Sequence, residues 1–269
     1  MLKHQGLALT SAILLTLIST TSSAEFRRSE IQEADNNIYI AIGGGGGGMN
    51  AGDWKQVTEV VDPAADIVLV NQPDNKTVGT ANGMAAIGYT FDEAPVRLEL
   101  AYNYIGNGKF EWANLVESAP VTIIPAGSDV SAETTVFSNT LMVNGYLDFI
   151  VNEKFMPFVM IGAGYGFNSA KLEYTATIPD TADPTLPPTE ITKSSDRKST
   201  GNFVWNAAVG MNYALSESWT VGIAATYFYL GKMQVDAFNA EQLVEEDVHL
   251  YDVDRLDAFV ATANIAYHF

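Results

Sequence analysis

Residues 203–215 read Phe-Val-Trp-Asn-Ala-Ala-Val-Gly-Met-Asn-Tyr-Ala-Leu. Phe203, Trp205, Ala207, Val209, Met211, Tyr213 and Leu215 take the odd places, and Val204, Asn206, Ala208, Gly210, Asn212 and Ala214 the even ones. Successive side chains of a β-strand point to opposite faces, so this stretch is a strand with one wholly apolar face and one face of small and polar groups.

The same period recurs outward from it in both directions. Val96, Leu98, Leu100, Tyr102 and Tyr104 alternate with Arg97, Glu99, Ala101 and Asn103. Further matches begin at Ala85, Leu141, Val159, Trp219 and Phe259, and with a weaker segment at 38–48 they predict eight strands. Short turns fall near 92–95, 151–154 and 215–218, and long segments cover about 49–77, 107–135, 169–200 and 233–254. Short and long connections in alternation describe an up-and-down meander.

A soluble barrel of the same strand number buries its apolar face and solvates the other, so alternation alone leaves the environment open. The non-apolar face carries Gly, Ala, Thr and Asn with few charges, which suits a crowded lumen better than a wet exterior. Aromatic residues gather at both strand ends, Tyr89, Phe91, Phe149, Trp219, Tyr267 and Phe269 at one and Tyr102, Tyr104, Tyr165, Phe203, Trp205 and Phe259 among those at the other. Such girdles mark the two water interfaces of a membrane barrel. The expected fold is all-β, an eight-stranded antiparallel up-and-down transmembrane β-barrel, closed because lipid leaves no water for an unpaired strand edge.

The beginning of the chain fits export. Lys3, an apolar stretch over 7–18, and Ser22, Ser23 and Ala24 follow one another as in a cleaved signal peptide, and the apolar run is too short to span a bilayer as a helix. We expect a signal peptide at 1–24, a short periplasmic tail at 25–36 and the barrel with four long extracellular loops at 37–269. No cysteine is present, which excludes disulfides and thiolate metal sites. A net charge of -18 repels nucleic acid.

The strand count, the rhythm of the connections and the ending Ile265-Ala266-Tyr267-His268-Phe269 resemble the small outer-membrane β-barrels, the group that includes the barrel of outer-membrane protein A, outer-membrane protein X and the opacity-type surface antigens. The resemblance implies residence in outer-membrane lipid. It also implies recognition by the barrel-assembly machinery through Ala261, Ala263, Ile265, Tyr267 and Phe269, and a surface-antigen or adhesin-like role in which loops meet a host or environmental ligand. A narrow passive pore is the alternative. A peptidoglycan-binding second domain is not expected, and a monomer is, since a closed barrel offers no edge for pairing.

Candidate chemistry is sparse. The glycines at 43–48 lack the Lys-Ser or Lys-Thr of a phosphate loop and are expected to permit strand bending at the rim and close packing beside bulky lumen residues. Arg97 and Asp148 share the polar face at one height above the short turns, with Glu99 two residues on. They predict a lumen ion network that narrows any channel, or else two groups that each reach periplasmic water. Asp236, Glu241, Glu245, Glu246, Asp247, Asp252 and Asp254 lack the spacing of a calcium site and read as a solvated loop. His268 is expected to face the lumen without a partner, so no catalytic group, metal or cofactor is assigned.

Overall fold

The computed structural model describes residues 37–56, 76–92, 94–112, 129–152, 154–178, 187–195, 197–237 and 248–269. The expected signal peptide and periplasmic tail lie outside the described residues, as do Glu241, Glu245, Glu246 and Asp247. Among the described residues nine strands follow in order: β1 (Ile38–Gln56), β2 (Thr77–Thr90), β3 (Val96–Trp112), β4 (Asp129–Asp148), β5 (Phe155–Ile178), β6 (Thr189–Ser194), β7 (Lys198–Ala214), β8 (Trp219–Ala237) and β9 (Val248–His268).

The wall nevertheless has eight members. β6 and β7 pair in succession with the same edge of β5, β6 against Glu173–Ile178 and β7 against Phe155–Ala170. Between them Ser195 stays tied to β5, its N-H donating to Leu172 O at 2.8 Å and its Oγ accepting from Leu172 N at 3.0 Å. β6 is thus the upper part of the strand that continues as β7. Every wall strand pairs antiparallel with the next, and β9 returns to β1, so the ring closes.

The stagger of the closure can be read from one row of paired residues. It leaves β9 at His268 and passes through Tyr39, Gly88, Glu99, Asn144, Gly162, Asn206 and Phe228. It regains β9 at Ala258, ten residues from its start. A stagger of this kind tilts the strands by roughly 35–45° and fixes an interior that side chains can fill.

The strands run well past the ends expected from alternation. β5 reaches Ile178 rather than stopping before Ser169, and β1 continues through Met49 to Gln56. Among the described residues three have positive φ: Asn107 (64°) and Gly231 (83°) sit where the ladder shifts register and then resumes, and Asp53 (57°) sits where the β1–β9 ladder skips one pair and resumes in the same register.

Environment inverts along each strand. In the half nearer the short turns, outward residues are large and apolar, with Ile42, Ile161 and Phe203 about two-thirds exposed. In the half nearer the long connections the outward places hold Lys55, Lys109, Lys171 and Glu173, while Met49, Ile105, Phe110, Leu230, Met233 and Leu256 point inward with no exposure. The inward face, expected to carry small and polar residues along the strands, is therefore polar in one half and an apolar core in the other.

The glycines at 43–48 mark no break at the rim. The ladder passes through them uninterrupted on both sides. Their use is close approach: above Gly45, Thr262 Oγ1 of β9 donates to Asn82 Oδ1 of β2 at 2.9 Å, a bond that reaches over the intervening strand.

Candidate functional site

The polar layer of the lumen is built from residues near the short turns of β1, β3 and β4. Arg97 leaves the start of β3 inward, and Asp148 leaves the end of β4 beside it. Arg97 Nε donates to Asp148 Oδ2 at 2.6 Å and Nη2 to Oδ1 at 2.9 Å, a two-point pairing of guanidinium and carboxylate. Both side chains are only 12% exposed, so neither simply reaches water. The guanidinium also lies 4.3 Å from the Tyr146 ring centre and 5.6 Å from that of Phe158.

Glu99 stands apart from that pair. Its Oε2 accepts from Tyr39 OH at 3.0 Å, and its Oε1 from Tyr146 OH at 2.7 Å and Asn144 Nδ2 at 3.1 Å. Arg97 Nη1 donates to Tyr39 OH at 3.4 Å, so the tyrosine links the two groups. Tyr39 spans the distance by lying across Gly88, where a Cβ would overlap its ring. Tyr39, Asn144 and Tyr146 were absent from the sequence-based set; their shared signal was parity, each falling on the inward register of its strand.

His268 faces the same layer, and contrary to expectation it has a neighbour, with Nε2 3.3 Å from Thr220 Oγ1 and its ring 5.3 Å from Tyr39. Its Nδ1 is buried without a partner among the described residues. A third group that orients the base commonly completes a nucleophile–base pair, and among the described residues none contacts Nδ1.

Above the polar layer, the apolar core closes the lumen. Trp54, Phe110 and Tyr251 pack edge to face at its top, with ring centres 5.8 Å and 6.3 Å from that of Trp54. Outside it, charged residues pair across strands. Asp254 receives hydrogen bonds from Lys55 and Lys232, which hold its carboxyl below the usual carboxylate range. Asp252 and Asp254 therefore belong to a paired strand rather than a solvated loop. Among the described residues no cluster of metal-ligating side chains forms.

Ala261, Ala263, Ile265, Tyr267 and Phe269 occupy the outward register of β9. Phe269 N donates to Ile38 O at 3.1 Å, the last rung of the seam between the first and last strands, and its ring stands perpendicular to Tyr267 at 5.1 Å.

A family model described as the outer membrane protein beta-barrel domain matches residues 10–269. The outer membrane protein PagN of Salmonella typhimurium is 30% identical over 168 residues, which make up 61% of this chain and 62% of that protein. The chain thus spans about three fifths of the length of this curated relative. Among solved structures, OprG from Pseudomonas aeruginosa aligns over 87% of this chain and 96% of its own at 15% identity and a TM-score of 0.44. Neisserial surface protein A aligns over 86% and 97% at 11% identity and a TM-score of 0.41.

Proposed function

Because the chain belongs to the outer membrane protein beta-barrel domain family, and is a bacterial outer-membrane protein, we propose that it is a sealed surface barrel whose long-connection end faces outward and makes adhesin-like contacts with a host or environmental surface. The observation that carries this reading is the closed lumen. Met49, Ile105, Leu230, Met233 and Leu256 are all without exposure at the long-connection half, and an ion or sugar crossing that layer would lose its water with nothing to replace it. The pore reading has no such support.

Planar-bilayer recording of the refolded barrel is expected to show no discrete conductance steps, while cells bind the same preparation through its loops. Steps that lumen substitutions abolish would overturn the reading in favour of a pore.

The remaining assignments follow from it. The segment 1–24 is removed on export, 25–36 lies in the periplasm, and the barrel resides as a monomer in outer-membrane lipid. No catalytic role or cofactor is assigned. Phe269, with Ala261, Ala263, Ile265 and Tyr267, is the signal that the assembly machinery reads. Phe269→Ala is expected to slow assembly several-fold, seen as a smaller heat-modifiable fraction at early times after synthesis; unchanged kinetics would remove that role.

A further inference from the structure

The polar layer of the lumen carries more negative charge than its ion pair accounts for. Among the described side chains that meet there, Arg97 is the one with a permanent positive charge, and Asp148 holds it at two points. Glu99, 5% exposed, is bonded to the neutral donors of Tyr39, Asn144 and Tyr146. A buried carboxylate without a counter-charge is costly, so a cation held near it lowers the energy of the layer.

The wall beside Glu99 supplies the ligands. One row of paired residues runs through Glu99, Asn144, Gly162 and Asn206 across β3, β4, β5 and β7. Asn144 Nδ2 donates to Glu99 Oε1 at 3.1 Å, which fixes the amide, since the opposite orientation would set oxygen against the carboxylate. Its Oδ1 therefore points away, over Gly162, where Oδ1 of Asn206 arrives from the other side. A single Cβ built on Gly162 would overlap both oxygens at once. Asn144 is 3% and Asn206 1% exposed, and neither Oδ1 accepts a hydrogen bond among the described residues.

The two sets of groups together select the ligand. A water bridging the oxygens leaves the charge of Glu99 unbalanced, and a divalent ion favours sites with more carboxylates than the one beside these oxygens. Neutral carbonyl-type oxygens are the ligands that replace the hydration shell of a monovalent ion. We infer that the space over Gly162 binds a monovalent cation, with Asn144 Oδ1 and Asn206 Oδ1 as its protein ligands, water completing its shell and Glu99 supplying the balancing charge. The ion enters from the short-turn end, because the apolar core closes the other. Gly222 provides a contrast: Asn212 and Asn264 also set their Oδ1 atoms over a glycine, but among the described residues neither is bonded to a carboxylate. The inference goes beyond the surface role and does not depend on it.

The test uses the full chain refolded in lipid nanodiscs with isotope-labelled asparagine side chains, read by NMR. Sodium chloride replaces choline chloride at constant ionic strength, so that screening is unchanged. The side-chain amide signals of Asn144 and Asn206 are expected to move along a saturating curve while those of Asn212 and Asn264 stay in place. Glu99→Gln keeps the size of the side chain and is expected to weaken sodium at least tenfold; if that variant fails to fold, the wild-type titration still decides. No response to sodium or potassium, an equal response at Asn212 and Asn264, or unchanged affinity in folded Glu99→Gln would overturn the inference. So would salt-independent slow exchange of the Asn206 amide protons, the mark of an amide turned to donate to Asn144. Signals that move only on acidification would put a proton on Glu99 in the place of the ion, and overturn it equally.

Discussion

Gly45→Ala and Gly47→Ala are expected to abolish the heat-modifiable folded form of the barrel, whereas Gly79→Ala and Gly83→Ala retain it. A Cβ on Gly45 would overlap the carbonyl oxygen of Ala261, and one on Gly47 that of Phe259. Those atoms belong to the backbone of β9 and cannot rotate aside as a side chain would. Relief requires parting β1 from β9, the one pairing that joins the two ends of the chain instead of a hairpin. Overpacking of a well-fitted interior costs about 1–3 kcal/mol, and here the ladder bonds of the seam are lost in addition. Gly79 and Gly83 have nothing within 4 Å of an added Cβ, so they control for glycine content in the neighbouring strand. A wild-type folded fraction for Gly45→Ala on unboiled gels would show that the seam does not depend on this approach.

Arg97→Ala should destabilise the barrel by about 3–5 kcal/mol without opening a channel. The substitution leaves Asp148, 12% exposed on its side chain, with its two-point partner gone, and Glu99 with the neutral donors Tyr39, Asn144 and Tyr146 around its carboxylate. Replacing the pair together, Arg97→Met with Asp148→Leu, is expected to recover most of the loss, because no buried charge is stranded. Urea unfolding followed by tryptophan fluorescence reads both, the single variant shifting its midpoint down by about 1 M or more. Conductance should stay silent in each, since the apolar layer above is untouched. Channel activity in Arg97→Ala would instead make the ion pair the seal.

The barrel was legible in the sequence because lipid and lumen impose opposite demands on alternate residues, and 203–215 obeys them at every place. Legibility ended near residues 49, 107, 169 and 233, and the structure supplies the reason. Past those points the outside of the wall is aqueous, so the apolar set moves to the inward register: along β5, outward Tyr165 and Phe167 give way to outward Lys171 and Glu173, with Leu172 inside. Bulges at Asn107 and Gly231 add a shift of phase. An alternation that changes face reads as a loop. The proximity of Arg97 to Asp148 followed from their equal distance from the turns, but the separation of Glu99 from them did not. That depends on Tyr39 of β1 lying across Gly88 of β2 to reach Glu99 of β3, a contact that skips a strand.

The length of the strands has a mechanical corollary. At about 3.3 Å per residue and a tilt near 40°, the 24 residues of β5 rise ~60 Å, against an apolar band of ~25 Å. More than half of that height stands clear of the hydrocarbon as hydrogen-bonded wall. Reach beyond the headgroups is thus supplied by a stiff mast of sheet, and the connecting segments, carried at its tip, are left free to vary in sequence and length without lowering the point at which contact is made.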